Sequence, residues 1–316
     1  MKVTKPYVDI IPQEPGIIGM FKHIERCGRI SYKSESRITD TSYEDFIKML
    51  YNRGHWAVFN LGTVYLTIPK KDYEKKSIKI SVDSVLGALY TRYTVDNVNY
   101  YITTNYRVIC QCGLEDIMKK YWTEPSENHY HRVTSHWVCS RFTSHQIIRH
   151  RSMSFIQESQ RYVNYEKKDG IEYILPQWVY DIRTQIGGTI NPITRRPRFH
   201  ILNLDGEKLW NELVVESDAV KARNNTWQVA ENEYNLQIER NSLKPEDARG
   251  CLLNDTKTEL CMCGYVEDYM MSPGPETKEK VGFFYLRCAP DAQRDVRVLA
   301  QSLKDQFIEK GIDKLK

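Results

Sequence analysis

Residues 146–162 read Gln146-Ile147-Ile148-Arg149-His150-Arg151-Ser152-Met153-Ser154-Phe155-Ile156-Gln157-Glu158-Ser159-Gln160-Arg161-Tyr162. They hold three arginines, one histidine, three amides and three serines, the densest polar motif in the chain. Guanidinium forks match phosphate oxygens bidentately, and hydroxyls and amides add neutral donors, so this composition suits a phosphorylated ligand. Each charge-assisted hydrogen bond kept from water is worth roughly 1.5–3 kcal/mol. The competing reading is a solvated basic helix face. Such a face repeats every three or four residues, whereas Arg149 and Arg151 are two apart, which predicts an extended or turning segment.

Outward from this stretch, residues 131–148 read as a helix leading into the motif. Upstream, a helix is predicted near 42–53. Asp40, Thr41 and Ser42 offer caps there, Glu44 completes a capping-box spacing from Thr41, and Gly54 is a stop. A strand follows at 62–68, ended by Pro69, and residues 88–109 read as a hairpin turning at Asp96-Asn97. Downstream, residues 165–200 mix loop and strand, with Gly187-Gly188 among them. A long helix is expected at about 207–240, with Leu209, Leu213, Val220, Trp227 and Tyr234 on its apolar face. Pro245 opens a further helix that carries Arg249, and another helix is expected at 258–270 until Ser272-Pro273-Gly274-Pro275 breaks it. Phe283 to Arg287 is a short apolar element, and a last helix runs from after Pro290 to about 308. Helices dominate, strands cluster early, and strand–helix alternation is poor, which favours α+β over a doubly wound sheet. Neither G-x-G-x-x-G after a strand nor a P-loop is present.

Composition narrows the classes. The 316 residues carry 45 Lys+Arg against 41 Asp+Glu, a net charge of +4, too small to imply nucleic acid yet suited to a small anionic ligand. Hydrophobic residues make up 41% and charged residues 27%, which argues against a disordered chain. Apolar runs are too short to span a bilayer, and the start MKVTKPYVDI has no apolar signal region, so a cytoplasmic protein is expected, with no membrane partner. The 8 cysteines then read as reduced, buried thiols, without the paired C-x-x-C of a structural zinc site. Many of the 21 tyrosines fall at 88–109, where aromatic strand packing is preferred to a ligand box. His129, His131, His136 and His145 fit no usual metal spacing, so no metal is expected.

Arg149-His150-Arg151, then seven residues, then Ser159 and Gln160-Arg161-Tyr162, resembles the signature of the flavin-dependent thymidylate synthases (the ThyX family). Three further segments resemble that family in order. Gly28-Arg29-Ile30-Ser31-Tyr32 is similar to its A-R-V-S-[YF] element, and Arg53-Gly54-His55-Trp56-Ala57-Val58-Phe59 to its H-G-H-x-x-P-F segment. Late in the chain, Ala248-Arg249, residues 255–260 and Leu286-Arg287 with Ala292-Gln293 resemble its A-R…L-P…T and L-R-x-x-x-x-A-Q elements.

The resemblance implies an α+β fold with one ThyX-like domain over 1–316. A central sheet would be flanked by long helices, with a tyrosine-rich, β-containing insertion at about 70–140 and a second at about 272–281. It implies reductive methylation of dUMP to dTMP, with methylenetetrahydrofolate as carbon donor, FAD as hydride carrier and NADPH as reductant. It also implies a homotetramer with active sites shared between subunits. Carried over position by position, Gln146, Arg149, Ser159, Gln160, Arg161, Arg249 and Arg287 would hold dUMP. Arg287 would be catalytic, favouring ionisation of the pyrimidine at N3. Ser31, His55, Arg149, His150, Arg151 and Gln157 would contact FAD. The sequence departs from the pattern at Asn60-Leu61, at Cys251-Leu252-Leu253 and around Tyr265-Val266-Glu267, so no late flavin contact is assigned.

Competing readings stand beside these. His55 could be a surface residue at a helix end. Arg287, inside an apolar run, needs a partner, either Asp291 or Asp295 or an anionic ligand, and the ligand is favoured. A noncatalytic nucleotide- or RNA-binding protein could use the same basic cluster.

Overall fold

A computed structural model describes residues 1–168, 170–186, 205–272 and 281–315. The chain opens with β1 (Lys2–Thr4), β2 (Tyr7–Ile11), α1 (Gly16–Tyr32) and α2 (Ser42–Asn52), and a 3-10 turn at Trp56–Leu61 enters β3 (Thr63–Pro69). Then come α3 (Lys70–Tyr73), α4 (Lys76–Leu86), β4 (Arg92–Val95), β5 (Asn99–Asn105), α5 (Tyr106–Cys112) and α6 (Glu115–Tyr121). The middle holds β6 (Arg132–Ser140), α7 (Arg141–Ile147), β7 (Ser154–Gln157), β8 (Glu172–Ile174) and α8 (Trp178–Ile186). The last third holds α9 (Gly206–Glu216), α10 (Asp218–Glu239), α11 (Pro245–Ala248), β9 (Lys257–Tyr265), α12 (Val266–Met270), α13 (Phe283–Arg287) and α14 (Arg294–Glu309).

The fold is α+β. Its main sheet is antiparallel in the order β2-β6-β9-β7. β9 shows why this sheet needs helices on both faces. Its side chains alternate, Cys261 and Cys263 entering a core with Met20 and Ile24 of α1, and Leu260 and Met262 a core with Leu299, Leu303 and Phe307 of α14. A strand buried on both faces reads as a continuous apolar run.

That run accounts for two corrections. Residues 132–140, expected as part of a helix at 131–148, are strand β6, and only 141–147 are helical. Residues 257–265, largely inside the helix expected at 258–270, are strand β9, and only 266–270 are helical. Strands therefore do not cluster early. The helix expected at 207–240 is two helices, because Ser217 takes extended backbone (φ −132°, ψ 121°). The break lets Trp210 and Trp227 stack at 4.3 Å, with Tyr173 of β8 on the far face of Trp227 at 4.6 Å, in a third core. The caps expected before α2 work differently too. Thr41 makes no side-chain cap, whereas Ser42 Oγ accepts from Thr39 N and donates to buried Glu25.

The tyrosine-rich block forms a second antiparallel sheet, β3-β5-β4, with the expected hairpin turning on Asp96, whose Oδ1 accepts from the N–H groups of Val98 and Asn99. Tyr265 at the end of β9 donates to the Thr103 carbonyl of β5, and Arg92 of β4 pairs with Glu267 and Asp268 of α12, so the block is tied to the main sheet. Residues 187–204, including Gly187-Gly188, and 273–280, most of the expected second insertion, lie outside the described residues. Among the described residues no helix is long and apolar enough to cross a membrane.

Candidate active site

The 146–162 stretch is helix, turn, then strand. Ser140 Oγ caps α7 by accepting from Thr143 N, and the helix ends at Ile147. His150 N donates to the Ile147 carbonyl and Met153 N to that of His150, which closes the turn before β7. The spacing of Arg149 and Arg151 is therefore that of a turn, as expected. Both side chains are exposed and make no ion pair among the described residues.

Arg287 ends α13, whose Phe283 and Phe284 are buried in the core against Tyr269 and Phe307. Its Nε donates to His150 Nε2 at 2.8 Å and its Nη2 to the Gln146 carbonyl at 2.8 Å, with Gln146 Oε1 at 3.4 Å from Nη1. It pairs with neither Asp291 nor Asp295. Every partner among the described residues is neutral, so no carboxylate there offsets the guanidinium charge. The His150 ring packs edge-on against Phe283 at 4.8 Å. Burial and the Arg287 charge push His150 down to about 4, so at neutral pH it is uncharged and accepts with Nε2. Cys288, next in sequence, is pushed up to about 11 by burial, so it is a protonated thiol and no nucleophile.

A second group forms where α1 ends. Ser159 N donates to the Ser31 carbonyl at 3.1 Å, joining the signature to the early segment. Tyr32 is hydrogen-bonded to His55 Nδ1, and its ring stacks on both His55 and Tyr162. Arg161 pairs with Glu246 at 3.2 Å, and Arg249 Nε donates to the Glu246 carbonyl at 3.1 Å. The Arg161–Glu246 pair is largely exposed, so it holds that guanidinium only weakly. Beneath lies a buried charge network. Glu259 binds His136, Lys33 and Lys257, and Lys257 also binds Glu172. Burial alone would raise the Glu259 carboxyl, but the His136 hydrogen bond and the charges of Lys257 and Lys33 hold it well below the usual carboxylate range. Lys33 takes a left-handed backbone (φ 48°) that ends α1, so this network fixes the residues on either side of the turn.

Of the predicted residues, Gln146 and His150 thus each bond Arg287, while Ser31 with Ser159, and Arg161 with Arg249 through Glu246, form the second group. No described side-chain bond joins the two groups. Gln157 instead donates to Ser144 and Thr258, and Gln160 is buried with its Nε2 lacking a partner. Tyr32 and Tyr162 stand in the motifs read from sequence but were given no role there, and Glu246 was not named. Their contacts span up to 130 positions, and no local spacing encodes them. A cavity of about 550 Å³ opens against α1 on this charge network, lined by Lys22, Glu25, Arg26, His136 and Glu259 among others.

The family model described as thymidylate synthase complementing protein matches residues 114–310, more than half of the chain. The chain belongs to this family. A flavin-dependent thymidylate synthase of Geobacter sulfurreducens is 27% identical over 161 residues, covering 51% of this chain and 49% of that protein. The matched region thus spans about half the length of that curated relative. Among solved structures, a UMP/dUMP methylase from Streptomyces cacaoi bound with 5-Br dUMP covers 98% of this chain and 93% of its own, at 13% identity and a TM-score of 0.38. Thymidylate synthase X of Helicobacter pylori with FAD and dUMP covers 55% of this chain and 66% of its own, at 16% identity and a TM-score of 0.32. The thymidylate synthase complementing protein match contains the signature, Arg249 and Arg287. Ser31 and His55 lie before it, and the contacts of Ser31 with Ser159 and of Tyr32 with Tyr162 tie them to it.

Proposed function

We propose that the protein is a flavin-dependent thymidylate synthase that converts dUMP to dTMP, with methylenetetrahydrofolate as carbon donor and NADPH as reductant. The observation that carries this is Arg287, a guanidinium whose anchors among the described residues are neutral, set beside Arg149 of the signature, which makes no ion pair among those residues. The residues present fit a flavin nucleotide and a nucleoside monophosphate. Among the described residues Arg149 and Arg151 make no ion pair and lie on a turn, and the buried Gln160 Nε2 has no hydrogen-bond acceptor. Arg149, His150, Arg151, Gln157, Ser31 and His55 would hold FAD. Gln146, Arg149, Ser159, Gln160, Arg161, Arg249 and Arg287 would hold dUMP.

When bound, FAD supplies the redox chemistry. The chain supplies position and charge. C5 of the uracil must become electron-rich to attack a carbon electrophile, and the Arg287 guanidinium stabilises negative charge on the ring oxygens and N3. His150 and Gln146 hold that group by three of its nitrogens, so little reorganisation is needed as charge develops. No thiol is required, in keeping with a protonated Cys288.

We further propose one catalytic domain over 1–316 with additions at about 70–140 and 272–281, assembled as a homotetramer. Among the described residues no side-chain hydrogen bond or ion pair joins the two groups of candidate residues, which suits a site completed by a second subunit. The purified protein should be yellow or take up added FAD, read as quenching of flavin fluorescence. A colourless, folded protein that refuses FAD would contradict the assignment and favour noncatalytic nucleotide or RNA binding.

A further inference from the structure

Resting on the flavin-site reading, we propose that Tyr32 is a positioning residue. Its hydroxyl, bonded to Nδ1 of His55, fixes the tautomer and tilt of that ring and presents Nε2–H as a donor to the flavin nucleotide.

Tyr32 is where three distant segments meet. It ends α1, directly after Ser31. Its ring lies edge-on to buried Phe46 at 6.3 Å and stacks on His55 at 6.1 Å, 17° from parallel. It stacks on Tyr162 of the signature at 6.1 Å, and Tyr162 in turn carries the Arg161 guanidinium at 5.8 Å. The backbone under Tyr32 is fixed, because Lys33 is anchored to Glu259 and Glu35. The backbone under His55 is fixed too. Gly54 turns with φ 68°, and His55 N donates to the Leu50 carbonyl at 2.9 Å.

Packing alone needs only the ring, and phenylalanine would stack equally well. The hydroxyl is surplus to packing, and its bond is to His55. Burial, then the neighbouring Tyr162, raises the phenol pKa, so it stays protonated and can donate. An Nδ1 that accepts must leave the proton on Nε2. His55 Nε2 has no partner among the described residues, so this N–H is free for an acceptor oxygen of a phosphate or a flavin carbonyl.

The test uses full-length protein labelled with ¹⁵N-histidine, as wild type, Tyr32→Phe, His55→Ala and the double variant. The expected wild-type spectrum shows His55 as the Nε2–H tautomer, and Tyr32→Phe shows a mixture of tautomers at an unchanged melting temperature. FAD affinity should fall about 3- to 10-fold in Tyr32→Phe, the worth of one hydrogen bond. The double variant should bind no more weakly than His55→Ala, because Tyr32 acts through that ring. An unchanged tautomer, or additive losses in the double variant, would overturn the proposal. A wild type that takes up no FAD overturns the flavin reading and the ligand half of the proposal, while the tautomer spectrum still decides whether Tyr32 sets His55.

Discussion

Arg287 and His150 divide the work of one pair. The arginine brings charge, and the histidine takes one of its hydrogen bonds without neutralising it. That division depends on His150 staying uncharged, which fixes a pH dependence. Burial and Arg287 place its pKa at about 4 against an ordinary 6.5. Between those values the unfolded chain binds the proton and the folded one does not, so stability falls as pH drops from 6.5 to 4 and the effect is complete below 4. His129 and His131 are also lowered by burial and add to the slope. His150→Asn should therefore flatten the loss of urea midpoint between pH 6.5 and 4 without abolishing it. An unchanged slope would mean that His150 is not held neutral. Glu259 acts in a separate window. Its depressed carboxyl contributes stability above the ordinary carboxylate value, and that contribution is lost as pH falls below it.

Among the elements, α1 carries Ser31 and Tyr32 to the candidate site, and Gly28 sets how closely it packs. A Cβ there would stand 2.6 Å from the buried Phe46 ring of α2 and 3.1 Å from Val58. Gly→Ala inside a helix normally gains about 1 kcal/mol from propensity. Overpacking a rigid ring costs about 1–3 kcal/mol, so the clash decides the sign. Gly28→Ala should lower stability in a urea titration, and a stabilised variant would show that α1 and α2 do not pack this closely. The same elements show what the sequence could reveal. α2, β3, the β4–β5 hairpin, α11 at Pro245 and α14 were legible, because turn residues or alternation mark them. β6 and β9 were not, since β6 is buried along nearly its whole length and Leu260-Cys261-Met262-Cys263 of β9 feeds two cores at once, which leaves no alternation of polar and apolar to read. The turn at Arg149 and Arg151 followed from their spacing. The hold of His150 on Arg287, 137 positions away, did not, because it depends on α13 docking beside α7.

At the scale of the molecule, helical layers on both faces of one sheet bring together residues from the start, middle and end of the chain. Lys33 of the α1 turn and Lys257 of β9 share the carboxylate of Glu259, which fastens the early segment to the central strand. The signature leaves that sheet through β7, the edge strand beside β9. We propose that this assembly presents Arg287 to the uracil ring. This is tested most directly by dUMP-dependent release of the C5 hydrogen, followed as tritium, with FAD, methylenetetrahydrofolate and NADPH present. Wild type should release it, and Arg287→Ala should release none while its circular dichroism and melting temperature stay those of the wild type. No release by folded wild-type protein, or full release by Arg287→Ala, would remove Arg287 from that role.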